Sequence, residues 1–342
     1  MRRRDFLNRS LAFSTAAGAA AFLGPSAGAS AAEGRFFRIL TGSAHTTAFP
    51  VGTTLATAIS NPPGSRPCDR GGSCGVPGLI AVALTSPGSL ANIASVASES
   101  IESGFAQADL AYSAYQGEGV YFRHSKLSNL RVLSNLYPET VHLVVRRGSG
   151  IDEVRDLAGK RVSLDRAGSG TRFNVEIILA AYGLRLNQLK VVEVDPGEAA
   201  DMMSKDELDA FFLISGQPAP TVGDLTDRGV ADLVALAGKQ IDGALRRHRF
   251  FSRDVIPAGT YTDVKEISTV SIGMHWLVAD SLDADLAYEL VRALWHPQNR
   301  KILDAGPLMA QKIRLGTAVI GISAPPLHDG AARFYRELNL IT

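Results

Sequence analysis

The chain of 342 residues has only two cysteines, almost no net charge and no long hydrophobic run outside its N-terminal region. Its 35 basic and 34 acidic side chains give a net charge of +1, which argues against nucleic acid as a partner because nucleic-acid-binding surfaces are basic. The body of the chain lacks an apolar stretch of the roughly 18 residues that a membrane-spanning helix needs. A hydrophobic fraction of 46% and a charged fraction of 20% are typical of one large or two medium globular domains.

The N-terminus carries the three regions of an export signal in their usual order. Arg3-Arg4-Asp5-Phe6-Leu7 has the form of a twin-arginine (Tat) address. The apolar run from Leu11 to Leu23 is too short to span a bilayer and is followed by small residues that suit a signal peptidase. We therefore predict that residues 1–31 are a Tat-type signal peptide and that the mature protein, about 310 residues long, is periplasmic.

The two cysteines, Cys68 and Cys74, lie in a loop rich in proline and glycine. An exported chain meets an oxidising environment, so we predict a local disulfide between them. Two thiols six positions apart, with no histidine nearby in the sequence, do not complete a tetrahedral metal site. The chain also lacks a Cys-x-x-Cys redox motif. We expect no metal and no cofactor.

Short apolar runs alternate with amphipathic helical patterns along the mature chain. Runs that favour strands lie at 36–40, 80–84 and 108–111, in two parts of 131–146, and again from 162 onward. Strands that alternate with helices predict parallel α/β sheets, and two such sets predict two lobes.

Three loops that follow predicted strands are rich in glycine and hydroxyl residues. Ligands of open α/β sheets bind beyond the carboxyl ends of the strands. Glycine allows a close approach of the backbone to a ligand, and helix N-termini favour anions. Each loop is also compatible with a plain helix cap. The candidates in these loops are Ser43, Thr46, Thr47 and Phe49; Ser89 and Asn92; and Ser169, Gly170, Thr171 and Arg172.

The sequence gives little support for catalysis. The seven histidines are scattered, and none lies in a His-x-x-x-His or His-Glu-x-x-His motif. Ser215 lies in Ile-Ser-Gly-Gln-Pro, which is not a nucleophile elbow. Separation in the sequence does not exclude a triad in space, but we do not expect an enzyme.

A series of segments in the mature chain resembles the TAXI-type solute-binding subunits of TRAP transporters. The resemblance extends over residues 36–338, and its specificity lies in the order of the segments, which are 85–93, 104–112, 136–145, 157–163, 168–171, 211–218, 256–261 and 325–335. One departure is in the first loop, where this chain has Phe49 at a position that is usually tyrosine in the family, so the contact of a tyrosine hydroxyl is lost.

The resemblance implies a two-lobed α/β periplasmic-binding-protein-like fold (type II) that closes over a ligand in the cleft between its lobes. It also implies delivery of the ligand to the membrane subunits of a TRAP permease driven by an ion gradient. The ligand expected for such a protein is a small carboxylate, either glutamate-like or a dicarboxylate. A monomer is expected.

For this chain we expect lobe one at 34–140 and 269–342 and lobe two at 141–268. The segments 141–146 and 270–278 would pair as hinge strands, so that closure buries a ligand that contacts both lobes. Lobe one would contribute the candidate residues of its two loops and Gln107. The hinge would contribute Tyr137. Lobe two would contribute its glycine-rich loop together with Ser215 and Gln217. Tyr137 could instead be a core aromatic, and Gln107 could only organise a loop.

Two other functional classes are compatible with the sequence. One is an exported α/β enzyme that acts on a small acid, for which turnover of the bound ligand would be evidence. The other is a periplasmic ligand sensor for a signalling partner. A permease gene or a histidine kinase gene next to this one would distinguish transport from sensing.

Overall fold

The computed structural model describes residues 34–44, 46–121, 125–167, 169–248 and 250–342, and the signal peptide expected at 1–31 lies outside them. These residues form a mixed α/β fold around one ten-stranded sheet. Within them, no helix has the length and apolar character needed to cross a membrane.

The first part of the chain alternates strands and helices, as the hydrophobic pattern predicts. Its elements are β1 (Arg35–Leu40), α1 (Ala48–Ile59), β2 (Ser60–Asn61), β3 (Val76–Pro77), β4 (Leu79–Leu84), α2 (Ser89–Ala97), β5 (Ser103–Gln107), α3 (Ala108–Gln116) and β6 (Leu130–Arg146). The prediction of a strand at 108–111 is wrong, because the buried strand β5 ends at Gln107 and helix α3 begins at Ala108. Asp109 suits the first turn of a helix, where the macrodipole favours negative charge.

The second part repeats the alternation and then ends in helices. Its elements are β7 (Arg161–Ser163), α4 (Gly170–Ala181), β8 (Lys190–Val192), α5 (Pro196–Ser204), β9 (Ala210–Ser215), α6 (Pro220–Asp227), β10 (Ala231–Val234), α7 (Lys239–Arg247), β11 (Phe251–Ile256), β12 (Ile267–Ala279), α8 (Ala284–Leu294), α9 (Pro297–Ala305), α10 (Leu308–Lys312) and α11 (Asp329–Glu337). Several helices begin at local caps. The Asp195 side chain, for example, accepts from the N–H groups of Gly197 and Glu198 at the start of α5.

The large sheet has two parallel ends joined by antiparallel strands. Its strand order is β4-β1-β5-β12-β6-β9-β7-β8, with β10 also paired to β6 and β11 to β12. Strand β1 is parallel to β4 and β5, and β7 is parallel to β8 and β9. The carboxyl ends of the parallel strands therefore carry the loops in which the sequence predicts ligand contacts.

The long strands β6 and β12 connect the two ends of the sheet. They pair antiparallel, but the part of β6 that pairs with β12 is Leu130–Thr140, opposite Ser271–Ala279. The predicted pairing of segment 141–146 with 270–278 is therefore wrong, because residues 140–145 pair with β9 and residues 143–146 with β10. The hydrophobic pattern marks this segment as buried without indicating which strands lie beside it.

Within the described residues, the buried hydrophobic side chains form four clusters that separate along the chain. Two clusters draw only on residues 37–137 and 274–335, and we call this half lobe one. The other two draw only on residues 141–272, and we call this half lobe two. In lobe one, Phe37 and Trp276 stack edge to face with ring centroids 6.3 Å apart. Each half therefore has a hydrophobic interior of its own.

The disulfide predicted from the sequence is present between Cys68 and Cys74, whose Cα atoms are 4.8 Å apart. The loop that it closes lies against α9, where Asn299 Nδ2 donates to the Cys74 carbonyl at 3.2 Å. The bond therefore holds a surface loop onto lobe one.

We expect reduction of this disulfide, or the double change Cys68→Ser and Cys74→Ser, to lower the free energy of unfolding by about 2 kcal/mol, because a small ring restricts the unfolded chain. Thermal unfolding with and without a thiol reductant measures the effect. The double variant serves as the control, since its melting temperature should not respond to the reductant. An equal response in both proteins would contradict the prediction.

Candidate functional site

The two lobes touch where the loops after β1 and β9 meet. The backbone N–H of Thr47 donates to Ser215 Oγ at 3.2 Å, and Thr47 Oγ1 is 3.2 Å from the same oxygen. The N–H of Gly216 donates to Thr47 Oγ1 at 2.8 Å. Thr47 and Ser215 are both buried. The structure thus brings together one predicted residue from each lobe.

A second contact between the lobes is made by Gln107, at the end of β5. Its Nε2 donates to Glu139 Oε2 at 3.2 Å, and its Oε1 accepts from Asn174 Nδ2 of α4 at 3.3 Å. The backbone N–H of Gln107 donates to Ser89 Oγ at 3.1 Å. Gly170 packs so closely here that a Cβ atom on it would lie 2.1 Å from Gln107 Oε1. Only glycine permits this approach of α4 to lobe one.

Two buried carboxyl groups adjoin Gln107. Burial raises the pKa of Glu139 to about 8; the hydrogen bond from Gln107 lowers it only in part, and the charge of Asp109 adds to the rise. Burial likewise raises the pKa of Asp109 to about 7, and the nearby amide of Asn174, which does not reach hydrogen-bond geometry with this carboxyl group, lowers it in part. Glu139 is therefore mostly protonated at neutral pH, and Asp109 about half so. We call Gln107, Asp109, Tyr137, Glu139 and Asn174 the Glu139 cluster.

The Glu139 cluster contains several polar atoms without hydrogen-bond partners among the described residues. They are the Tyr137 hydroxyl, both carboxyl oxygens of Asp109 and Asn174 Oδ1. Burial raises the pKa of Tyr137 well above its usual value, and the charge of Glu139 acts in the same direction. A buried polar atom left unpaired destabilises a fold by about 1–3 kcal/mol. Four such atoms in one cluster indicate a place where a ligand or water completes the hydrogen bonds.

The N-terminus of α4 provides close packing and little free charge. Ser169 Oγ accepts from the N–H of Arg172 as the helix cap, and Thr171 is buried. The guanidinium of Arg172 pairs with Glu176 at 3.0 Å and also with Glu193. Its positive charge, which the sequence suggested for a ligand anion, is thus balanced inside lobe two.

Four other predicted residues serve lobe one itself or lie elsewhere. Asn92 Nδ2 donates to the carbonyls of Thr41 at 2.9 Å and Phe105 at 2.8 Å, which ties β1 to β5. Thr46 Oγ1 donates to the Ser43 carbonyl at 2.8 Å, so this loop closes on itself. Phe49 borders a separate cavity of about 1480 Å³ beside the disulfide loop. The structure does not bring Phe49 to the Glu139 cluster.

A cavity of about 1570 Å³ lies between the lobes, and Tyr137 and Gln217 line it. Gln217 Nε2 donates to the Val255 carbonyl at 3.0 Å, while its Oε1 has no partner among the described residues. The cavity wall includes three basic residues and one acidic residue: Arg247, Lys312, Arg314 and Glu118. This side of the cleft therefore favours a ligand with negative charge.

Asp109, Glu139 and Asn174 were not among the site residues predicted from the sequence. A glutamate within the otherwise apolar run 136–145 was a signal for a buried acid. Asn174 lies four residues after Gly170, which places both on the same face of α4. Neither signal shows that the two residues meet Gln107, since that contact depends on how the lobes pack.

The described residues contain one group with metal-ligand spacing, formed by Cys68, Cys74 and His296 with ligand atoms within 4.8 Å of one another. Both sulfurs are in the disulfide, so neither is available as a thiolate, the form that binds metals. His296 Nδ1 accepts from the N–H of Gln298 at 3.2 Å, as a helix cap. With the disulfide formed, these residues belong to the contact between the disulfide loop and the start of α9.

Comparison with known proteins agrees with this architecture. The model of the NMT1-like family matches residues 39–338. Similar solved structures include a protein from Bordetella bronchiseptica RB50, with 13% identity, a TM-score of 0.51 and coverage of 89% of this chain and 81% of that chain. Another is the ligand-binding component of an ABC-type import system from Staphylococcus aureus with zinc bound, with 10% identity, a TM-score of 0.50 and coverage of 90% and 93%.

A third structure, described as a periplasmic transporter, has 12% identity, a TM-score of 0.51 and coverage of 89% of this chain and 92% of that chain. At such identities the likeness shows the fold alone. The predicted fold class is confirmed: this is the two-lobed α/β fold of periplasmic binding proteins, with its cleft between the lobes.

Proposed function

We propose that this chain, which belongs to the NMT1-like family, is an extracytoplasmic solute-binding protein of a transporter. A small ligand enters the cleft and is enclosed when the lobes close over it. The observation that carries the proposal is the Glu139 cluster. It lies where the lobes meet, it has side chains from both, and it holds buried polar atoms that lack partners.

In finer detail, we propose a TAXI-type subunit of a TRAP transporter that delivers its ligand to ion-gradient-driven membrane subunits. The series of segments described from the sequence supports this assignment. Export through the Tat pathway and lobe boundaries at 34–140, 141–268 and 269–342 belong to the same proposal. The hydrophobic clusters support the boundary near residue 140, whereas Val270 and Ile272 pack in lobe two, a few residues beyond the proposed boundary at 268/269.

The proposed ligand is a small carboxylate, glutamate-like or a dicarboxylate. The basic residues Arg247, Lys312 and Arg314 around the cavity support an acidic ligand. A binding role without turnover is consistent with the fold and with the absence of a recognisable catalytic motif from the sequence.

Mass spectrometry of the solute released when the purified protein is denatured tests this function. We expect one small acid in near-stoichiometric amount, and we expect the same acid to raise the melting temperature of the stripped protein because it binds only the folded state. Chemical conversion of that acid by the protein would favour the enzyme alternative. Absence of any released solute, with no shift from amino or dicarboxylic acids, would contradict the proposal.

A further inference from the structure

Most of the hydrogen-bonding capacity left over in the Glu139 cluster is that of acceptors. Asn174 Oδ1 accepts, and both oxygens of Asp109 accept when its carboxyl group is ionised, whereas the Tyr137 hydroxyl and a protonated carboxyl group can also donate. The orientation of the Asn174 amide follows from its neighbour, since its Nδ2 donates to the Gly170 carbonyl at 3.1 Å. With Nδ2 fixed in this way, Gln107 must present its oxygen to Asn174 and its nitrogen to Glu139. Once both carboxyl groups are ionised, acceptors outnumber donors, so a ligand group that brings donors completes the cluster in that state.

Positive charge is also missing around these two acids. Among the described residues, no arginine, lysine or histidine contributes to the pKa shifts of Asp109, Glu139 or Tyr137. Arg172, the cation nearest in the sequence to the lobe contact at Gly170, is paired with Glu176 and Glu193. A ligand that placed a carboxylate here would face two buried acids with no compensating cation.

We propose that the Glu139 cluster is a subsite for an ammonium group, with Glu139 and Asp109 as its counter-ions and Asn174 Oδ1 as a further acceptor. An ammonium group has three donors and one positive charge, which matches the unpaired acceptors and the two acids. The inference rests on the proposed function and sharpens it, because it selects an amine-bearing acid over a dicarboxylate.

The geometry explains how the ligand enters, while a competition experiment distinguishes an ammonium group from a metal ion. The two carboxyl groups, the free amide oxygen and the hydroxyl could also serve as ligands of a hard cation such as Ca²⁺, so the salt titrations below decide between them. Gly170 lies directly against Gln107, and Asp109 is fully buried. The amine therefore reaches the cluster when the lobes are apart and is held there after closure.

Isothermal titration calorimetry at pH 7 with matched pairs of acids tests the subsite. The pairs are L-glutamate with glutarate, L-aspartate with succinate, and 4-aminobutyrate with butyrate, and each pair differs by one amino group. We expect at least one amine to bind tenfold or more tightly than its partner. Titrations in two buffers of different ionisation enthalpy should also show proton release, because an ammonium beside Glu139 favours the ionised carboxylate.

The variant Glu139→Gln keeps the shape of the side chain and removes its charge. We expect it to reduce the preference for the amine at least tenfold and to abolish most of the proton release. Glu176→Gln, a half-exposed glutamate on α4 that pairs with Arg172, is the matched control and should keep both. If Glu139→Gln fails to fold, Asp109→Asn provides the same comparison.

The subsite is wrong if every amine binds no better than its partner, if the preference survives in Glu139→Gln, or if no acid of the panel binds. It is also wrong if CaCl₂, MgCl₂ or NaCl displaces the amine competitively. Tight binding of an amine-free acid, or its release from the denatured protein, would overturn the subsite and leave the solute-binding function standing. Release of no small solute at all would count against both.

Discussion

Replacement of Gly170 by alanine is expected to weaken ligand binding by roughly tenfold to a hundredfold without unfolding the protein. The added Cβ would lie 2.1 Å from Gln107 Oε1 and 3.0 Å from Leu110 Cδ1. Gln107 is buried and is held by Glu139 and Asn174, so it moves only if those hydrogen bonds break. Because Gly170 and Gln107 belong to different lobes, the strain acts on the closed form and not on either lobe alone.

Gly223→Ala in α6 is the matched control, since a Cβ there meets no atom within 4 Å. It should leave affinity unchanged and slightly raise the melting temperature. Gly216→Ala provides an independent test of closure, because its Cβ would lie 2.8 Å from Thr47 Oγ1 and 2.1 Å from the Cγ of buried Met309. Titration calorimetry measures all three variants. Wild-type affinity in both Gly170→Ala and Gly216→Ala would show that the ligand does not need this closed contact.

The free energy of unfolding is expected to fall by about 2 kcal/mol as the pH rises from 6.5 to 8. Over this range the native protein retains a proton on Glu139, whose pKa is raised to about 8, and in part on Asp109, whose pKa is raised to about 7. The same carboxyl groups are already ionised in the unfolded chain. The native state therefore binds more protons than the unfolded state, so stability decreases with pH and levels off above pH 8.

Below pH 6.5 the histidines oppose this trend. Burial lowers the pKa of His142 and that of His275 to about 4, so the unfolded chain binds their protons first, which costs stability as the pH decreases. Glu139 and Asp109 act in the opposite direction until the unfolded chain also protonates them, at about pH 4. The two contributions nearly cancel, so we expect the profile to flatten below about pH 6. Denaturant unfolding at a series of pH values measures the profile.

Comparison of Glu139→Gln with the wild type isolates one contribution to this profile, because the other titrating groups affect both proteins equally. Between pH 6.5 and 8, the free energy of unfolding of the variant should rise steadily relative to that of the wild type. Parallel profiles for the two proteins would show that Glu139 is already ionised in the native state, and the amine subsite would then predict no proton release.

Local features of the sequence predicted most of the local structure, with the exception of the strand expected at 108–111, which is the start of α3. The alternation of apolar runs gave the α/β class, and the two cysteines form the disulfide expected of them. Thr47, Gln107, Tyr137 and Ser215, chosen from loops and strand ends, do meet between the lobes or line the cavity there. Each of these predictions depends on a pattern within a few residues or on the position of a loop at the end of a strand.

The roles of other residues were decided only by contacts between distant segments. Asn92 binds carbonyls of β1 and β5, and Arg172 pairs with Glu193 across a loop, although their neighbours in the sequence favoured ligand contact. Glu139 and Asn174 gave little sequence signal, yet they form the centre of the candidate site.

The sequence by itself therefore determined most of the strands, helices and strand-end loops, because hydrophobic periodicity, caps and small rings act over short chain distances. The tertiary structure alone decided which side chains face one another across the cleft. Thr47 and Ser215, for instance, are 168 residues apart in the chain. The pKa of a buried carboxyl such as Glu139 depends on the same packing, because it reflects the water and charges that the folded lobes exclude or bring close.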